Sequence, residues 1–107
     1  MCGRYCIAAS PGELAERYHV SAPAFFFPRY NVAPSEPIPA VISQKNHTEI
    51  LVGNFGFSQG LKGRVINARI ESIQEKPLFK SHLQSGRCLI PASGYYEWKT
   101  IGGKKEP

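Results

Sequence analysis

The sequence predicts an α+β fold, in which short strands and turns are combined with a few short helices. Hydrophobic residues make up 42% of the 107 residues, which suits a globular core rather than a disordered chain. Apolar alternation recurs in short stretches bounded by turn residues, the pattern of short strands. One helix-start signal lies near the N-terminus. At this length the chain has room for one small domain.

The first strand and the first helix follow from local signals. Residues 4–8 are predicted to form a short strand. Ser10 can cap a helix, Pro11 suits the first helical position, and Glu13 can close a capping box. A helix is therefore predicted over residues 11–18.

A proline-rich segment comes next. Residues 21–39 contain five prolines, and proline removes the N–H that a helix interior or a central strand needs. Residues 28–34 are therefore predicted to form an ordered loop or an edge segment. Four aromatic side chains in this region favour burial over a flexible linker: Phe25, Phe26, Phe27 and Tyr30.

The remaining elements are short. Strands are predicted at residues 40–43, 49–57, 65–68, 87–90 and 94–101. Turns are predicted at 45–47 and 60–63, and a helical stretch that Pro77 can break is predicted over 72–83. Residues 101–104 form a hairpin turn signal, after which only three residues remain. Trp98 should then lack a partner strand, so we expect a fragment, a cleaved piece or one part of a split protein.

Charge and cysteine content indicate the kind of partner and compartment. The formal net charge is +5, which favours anionic partners such as nucleic acid, although a basic surface can also serve solubility alone. Cys2, Cys6 and Cys88 form no disulfide pattern, and neither a signal peptide nor a transmembrane run is found. We expect a reducing, intracellular location, cytoplasmic and nucleoid-associated in a bacterium, with no membrane partner. No metal or other cofactor is expected, since the histidines and cysteines lack the spacing of a zinc site.

Cys2 is the first candidate for chemistry. Removal of Met1 would leave Cys2 with a free α-amine beside its thiol. Free α-amines and thiols ordinarily titrate near pH ~8 and ~8.5, so both groups are partly nucleophilic at neutral pH. A 1,2-aminothiol condenses with an aldehyde to a five-membered thiazolidine, which an internal cysteine cannot do. The alternative is that Cys2 is an ordinary small residue at a frayed terminus.

Asn67 and Glu97 are the other catalytic candidates. Asn67 falls within a predicted buried strand, where its amide needs partners; it either satisfies nearby backbone or holds a substrate oxygen. Glu97 is flanked by aromatic residues, and an apolar setting would suit it to proton transfer during imine formation and ring closure. Alternation along the strand equally allows Glu97 to face solvent.

Basic and aromatic residues suggest contacts with nucleic acid. Alternation would place Arg4 on the face of Cys2 and Arg69 on the face of Asn67, where guanidinium groups could bind phosphates. Trp98 and Phe55, together with Tyr95 and Phe57, could stack on unpaired bases. Core packing is the alternative for each of these rings.

Five segments in order resemble hallmark segments of the SOS response-associated peptidase (SRAP) family. They are residues 1–5 (MCGRY), 28–34 (PRYNVAP), 66–71 (INARIE), 75–79 (EKPLF) and 87–98 (RCLIPASGYYEW). The resemblance identifies residues 1–107 as the N-terminal part of a single domain. It implies a mostly antiparallel, barrel-like β fold with short helices, incomplete in this chain.

The resemblance also implies a function in the DNA damage response. It implies a thiazolidine between Cys2 and an abasic site in single-stranded DNA, with self-removal of Met1. Asn67 and Glu97 match the active-site residues of the family, and Arg4 and Arg69 match its DNA-contacting arginines. The catalytic histidine of the family falls beyond residue 107. Its Trp-Gly-Leu segment is replaced here by residues 54–57.

Two other functions remain open at this stage. A non-covalent single-stranded DNA binding module would bind in a salt-sensitive way, whatever the state of Cys2. A thiol peptidase acting on other proteins would need a general base for the thiol. None of the three histidines in the sequence is an evident candidate for that base.

Overall fold

The computed structural model describes residues 2–107 and has the predicted α+β fold class. The elements in order are β1 Arg4–Ile7, α1 Pro11–Tyr18, β2 Arg29–Val32, β3 Pro37–Gln44, β4 His47–Asn54, β5 Phe57–Ser58, β6 Arg64–Val65, α2 Pro77–Lys80, α3 His82–Ser85, β7 Gly94–Tyr96, β8 Lys99–Ile101 and β9 Lys104–Glu106. A single 3-10 turn, Gly60–Lys62, lies between β5 and β6.

All paired strands are antiparallel. The central sheet has three strands in the order β2-β1-β7, and β3-β4, β5-β6 and β8-β9 form two-stranded sheets. An isolated bridge joins Val41 of β3 to Leu89. Within residues 2–107 these small sheets do not close into a barrel.

Helix α1 begins as its sequence predicts. The Ser10 hydroxyl accepts a hydrogen bond from the Glu13 N–H, and the Glu13 carboxylate accepts one from the Ser10 N–H. These two bonds form the capping box and supply partners for N–H groups that a helix start leaves unpaired. The hydrogen bonds from Ser10 also lower the pKa of Glu13 below its ordinary value. The helix buries Leu14 against β1 and its neighbours.

The hydrophobic core lies under the central sheet and is small. Tyr5 and Ile7 point into it from alternate positions of β1. The buried cluster consists of Tyr5, Ile7, Leu14, Phe26, Val32 and Ile38. The expectation of burial for the aromatic residues of the proline-rich segment holds for Phe26 alone, since Phe25, Phe27 and Tyr30 are exposed. Residues 29–32 nevertheless form an edge strand, as predicted.

The structure corrects several predicted strands in the second half. The strand predicted at 65–68 is only β6, so Asn67 lies in irregular chain and is half-buried. Residues 87–90 contribute a single bridge through Leu89. The strand predicted over 94–101 is interrupted at Glu97 and Trp98. Residues 104–106 suffice to pair with β8, so the expectation that this strand lacks a partner was wrong. Gly102 and Gly103, which form the turn between β8 and β9, both have positive φ. Glycine adopts this backbone conformation without strain.

Candidate functional site

Cys2 lies just before β1, half-buried against the core cluster. Its thiol donates a hydrogen bond to the Arg4 carbonyl oxygen, with a sulfur–oxygen distance of 3.1 Å. The main chain beside Cys2 lies near Ile66, since a Cβ atom added at Gly3 would make ordinary van der Waals contact with the Ile66 side chain at 3.9 Å. The hydrogen bond to Arg4 gives the Cys2 thiol a defined orientation. Met1, whose removal the sequence analysis expects, lies outside the described residues.

Asn67 contacts the main chain of Cys2 directly. Its side-chain Nδ2 donates a hydrogen bond of 2.9 Å to the Cys2 carbonyl oxygen, across 65 positions of sequence. The amide thus satisfies nearby backbone, one of the two interpretations left open by the sequence. Because this backbone belongs to Cys2, the contact also places the Asn67 side chain beside the predicted nucleophile.

Glu97 reaches the same region through the pairing of β1 with β7. Arg4 is paired with Tyr96 in this antiparallel ladder. The ladder ends at this pair, and Glu97 is the residue that follows β7. Glu97 is exposed, so the expected apolar setting is wrong, and the interpretation of a solvent-facing side chain holds.

Arg4 is held in place by the PRYNVAP segment. Its Nη1 donates a 2.9 Å hydrogen bond to the Asn31 side-chain oxygen. Glu36 in turn accepts hydrogen bonds from the Ala33 N–H and the Arg29 guanidinium. These bonds, together with the charges of Arg29 and Arg4, hold the pKa of Glu36 below its ordinary value. Glu36 thus ties both ends of the segment together, and Asn31 between them accepts the hydrogen bond from Arg4.

The other predicted DNA-contacting residues lie in different surroundings. Arg69 is exposed in irregular chain, so the argument from strand alternation does not apply to it. Trp98 is 42% exposed between β7 and β8. Phe55 is half-buried and packs edge-on against Tyr5, with ring centroids 5.8 Å apart. The Phe55 ring therefore packs against the core, whereas the Trp98 side chain is partly open to solvent.

An open cleft of about 690 Å³ adjoins the site, with Asn67 in its wall. Its lining is mostly apolar and comes from the ends of β3 and β4, from β5 and β6, from the irregular chain after β6, and from α2, α3 and the chain that follows them. The lining includes Phe57, Ile66, Ile70, Ile73, Leu83 and Ile90. His82 also lines the cleft and stacks on Phe57 at a centroid distance of 5.3 Å.

Tyr5 carries a buried hydroxyl that, within residues 2–107, has no hydrogen-bond partner. Burial is the main cause that raises the pKa of Tyr5 to about 12. The Arg29 charge lowers this pKa by a smaller amount, and Cys2 raises it slightly. A buried hydroxyl without a partner costs about 1–3 kcal/mol. The Tyr5 side chain therefore combines favourable ring packing with an unfavourable polar atom.

We expect Tyr5→Phe to raise the free energy of unfolding by about 1 kcal/mol, because it removes this uncompensated hydroxyl and keeps the ring. Urea denaturation of both proteins measures the change. Tyr18→Phe, at a half-buried tyrosine packed against the same core, is the matched control. A loss of stability in Tyr5→Phe would show that the hydroxyl has a stabilising partner.

Among residues 2–107, no group of three or more His, Cys, Asp or Glu side chains is placed to hold a metal ion. No helix in this part of the chain is long and apolar enough to cross a membrane.

Comparison with known families identifies the chain. The family model described as SOS response associated peptidase (SRAP) matches residues 1–107. The chain belongs to the SRAP family. The Asn67–Cys2 contact and the hydrogen-bonded PRYNVAP segment are therefore features of an SRAP chain.

Curated relatives of this SRAP chain include bacterial proteins of similar names. It is 34% identical over 116 residues to the abasic site processing protein YoaM of Bacillus subtilis, covering 97% of this chain and 50% of the relative. It is 33% identical over 115 residues to the abasic site processing protein YedK of Escherichia coli, covering 100% of this chain and 52% of the relative. The chain thus spans about half the length of the relatives it matches.

Asn31 is a residue of this SRAP chain to which the sequence analysis assigned no role at the site. Its contact with Arg4 joins the edge strand β2 to the middle strand β1 across 27 positions of sequence. Only the pairing of β1 with β2 brings the two side chains together, and no local pattern in the sequence signals that pairing.

Proposed function

We propose that this chain covalently captures abasic sites in single-stranded DNA through a thiazolidine formed by Cys2. The observation that carries the proposal is the hydrogen bond from Asn67 to the Cys2 carbonyl oxygen. It holds the main chain of Cys2 in a chain whose relatives are named abasic site processing proteins. An aldehyde is the reactive group of an opened abasic sugar and the preferred partner of a 1,2-aminothiol.

The proposed reaction needs no cofactor and balances with the loss of one water molecule. The Cys2 amine adds to the aldehyde carbon, and the resulting carbinolamine loses water to form an imine. The Cys2 sulfur then adds to the imine carbon and its proton passes to the nitrogen, which closes the five-membered ring. Every step moves a proton, so a nearby acid–base group accelerates the sequence.

The surrounding residues have separate roles in this proposal. Glu97, which follows the Tyr96 that pairs with Arg4, transfers protons, and Asn67 holds Cys2 in position. Arg4, oriented by Asn31, and Arg69 bind phosphates on either side of the lesion. Trp98 offers its exposed face to an unpaired base, while Phe55 supports the site from the core side.

Removal of Met1 must come before capture. We propose that the chain removes Met1 itself, consistent with the peptidase description of its family, by hydrolysis of the bond between Met1 and Cys2. Water supplies the hydroxyl to the methionine carboxyl and a hydrogen to the new amine. Intact mass spectrometry of the purified protein measures this step directly.

The proposal is tested with matched oligonucleotides. Protein whose mass lacks Met1 is incubated with a single-stranded oligonucleotide carrying an abasic site, and separately with one carrying a tetrahydrofuran analogue that has no aldehyde. A band of reduced mobility on a denaturing gel is expected with the first alone. Equal bands with both, or none with the aldehyde, would contradict the proposal. A duplex with the same lesion tests the preference for single strands.

Replacing Glu97 with glutamine should slow adduct formation by about 100-fold, the low end of the contribution of general acid–base catalysis. Binding of undamaged single-stranded DNA should stay unchanged, because the amide keeps the size of the side chain. Glu106→Gln, at an exposed glutamate in β9, is the control. Loss of DNA binding in Glu97→Gln would instead assign Glu97 a structural role.

Two other functions make different predictions. A non-covalent DNA-binding module would bind abasic and undamaged strands equally, with strong salt dependence. A thiol peptidase acting on other proteins needs a base at the thiol, whereas within residues 2–107 the Cys2 thiol donates to a backbone carbonyl.

We also propose that a second chain or segment completes the domain.

A further inference from the structure

The edge strand β2 carries a bulge where it pairs with β1. Two residues of β2, Tyr30 and Asn31, lie opposite the single residue Cys6 of β1, at the point where the register shifts. A β-bulge of this kind disrupts the ladder locally and can re-aim a side chain, often beside a functional site. The conformation of this short stretch therefore depends on contacts other than the regular ladder.

Two neighbouring side chains of the central sheet contact this bulge. The Tyr96 hydroxyl donates a 2.6 Å hydrogen bond to the Tyr30 carbonyl oxygen. The Arg4 guanidinium donates one of 2.9 Å to the Asn31 side-chain oxygen. Arg4 and Tyr96 are directly paired in the β1–β7 ladder, so their side chains lie on the same face of the sheet. Both contacts therefore meet at one dipeptide of β2.

The Tyr96 side chain spans the width of the central sheet. The strand β1 lies between β7 and β2, so two strand spacings separate the main chains of the outer strands by about 9–10 Å. The hydrogen bond from Tyr96 joins residues 66 positions apart in the sequence. Because Tyr96 is half-buried and a phenol has few rotatable bonds, this contact restrains the main chain of the bulge directly.

We propose that Tyr96 is a positioning residue for DNA binding at the Cys2 site. Its hydroxyl holds the bulge in the conformation in which Asn31 orients Arg4, and Arg4 binds a DNA phosphate. This role rests on the proposed function, in which Arg4 is a phosphate ligand. Tyr96 acts through the Tyr30 carbonyl group and the Asn31 side chain.

Tyr96→Phe removes the hydroxyl and keeps the ring. It should weaken binding of an undamaged single-stranded oligonucleotide by roughly threefold to tenfold, which corresponds to the loss of one hydrogen bond. The slope of log affinity against log salt concentration should become shallower, by up to the roughly 0.7 expected for one phosphate contact on a single strand. Arg4→Gln should give the full change in slope. Fluorescence anisotropy at several salt concentrations measures both quantities, and Tyr18→Phe, at a half-buried tyrosine of α1, is the matched control.

A double variant tests whether Tyr96 acts through the bulge. Tyr96→Phe combined with Asn31→Ala should bind DNA no more weakly than Asn31→Ala alone, because residues that act through one network are not additive. At saturating abasic DNA, Tyr96→Phe should form the adduct as fast as the parent, since Cys2 and Glu97 are unchanged. Thermal unfolding shows that each variant is folded under the assay conditions.

Several results would overturn the inference. One is a shallower salt slope in Arg4→Gln that Tyr96→Phe does not share. Another is additive weakening by Tyr96→Phe and Asn31→Ala, and a third is slower adduct formation in Tyr96→Phe at saturating DNA with binding unchanged. An unchanged slope in Arg4→Gln would refute phosphate binding by Arg4 and the role of Tyr96 with it. If the parent forms no adduct while the binding differences remain, the capture reaction is refuted and the positioning role stands.

Discussion

Cys2→Ala should form no stable adduct with an abasic oligonucleotide, even in protein whose intact mass shows that Met1 has been removed. The variant keeps a terminal amine, so it can still form an imine, but it has no sulfur to close the ring. An imine hydrolyses readily, whereas a thiazolidine survives denaturation. A denaturing gel should therefore show the adduct with the parent and none with the variant.

Borohydride separates the roles of the two groups of Cys2. Added during the incubation, it reduces an imine to a stable amine, so Cys2→Ala should give a trapped adduct under that condition alone. Cys6→Ser serves as the control, because Cys6 is also half-buried on the same segment but has no free α-amine. A stable adduct of Cys2→Ala without borohydride would refute the ring-closure step.

Asn67→Ala is expected to slow adduct formation by about 10- to 100-fold. Misplacement of a reacting group by about 1 Å can reduce a rate to this extent, and the Asn67 amide is the side-chain donor to the Cys2 carbonyl oxygen. The lost hydrogen bond should lower the free energy of unfolding by only about 1 kcal/mol. The effect on rate should thus exceed the effect on stability.

The control for Asn67 is Asn54→Ala. Asn54 lines the same cleft but is exposed at the end of β4. Quench-flow or timed gel assays give the rate of adduct formation, and thermal unfolding shows how much of each variant is folded. Equal rates for Asn67→Ala and Asn54→Ala would mean that the contact with Cys2 does not position the nucleophile.

The sequence predicted the fold best where the interactions that determine it join residues close together in the sequence. The capping residues Ser10, Pro11 and Glu13 predicted the start of α1 because their hydrogen bonds lie within one turn. The polar turn between β3 and β4 was also predicted, and Lys45 and Asn46 have the positive φ values of a tight hairpin.

The second half of the chain was predicted less well. Residues 65–68 and 94–101 have apolar patterns suited to continuous strands, but strand length depends on whether a partner is available at each position. In the structure β6 is only two residues long. Before Glu97 and Trp98 the chain forms β7, which pairs with β1. After them it forms β8, which pairs with β9. The apolar pattern of the sequence does not show where the chain changes from pairing with one strand to pairing with another.

The sequence by itself determined the types of chemistry available: a possible terminal aminothiol at Cys2, a carboxylate at Glu97 and a basic surface. It also determined the capped helix and the tight turns, since these depend on backbone preferences and hydrogen bonds between near neighbours. Only the tertiary structure decided that Asn67 meets Cys2, that Asn31 holds Arg4, and that the cleft is left open. Such contacts depend on strand register and burial, which the whole packed chain sets, and no local window of sequence specifies them.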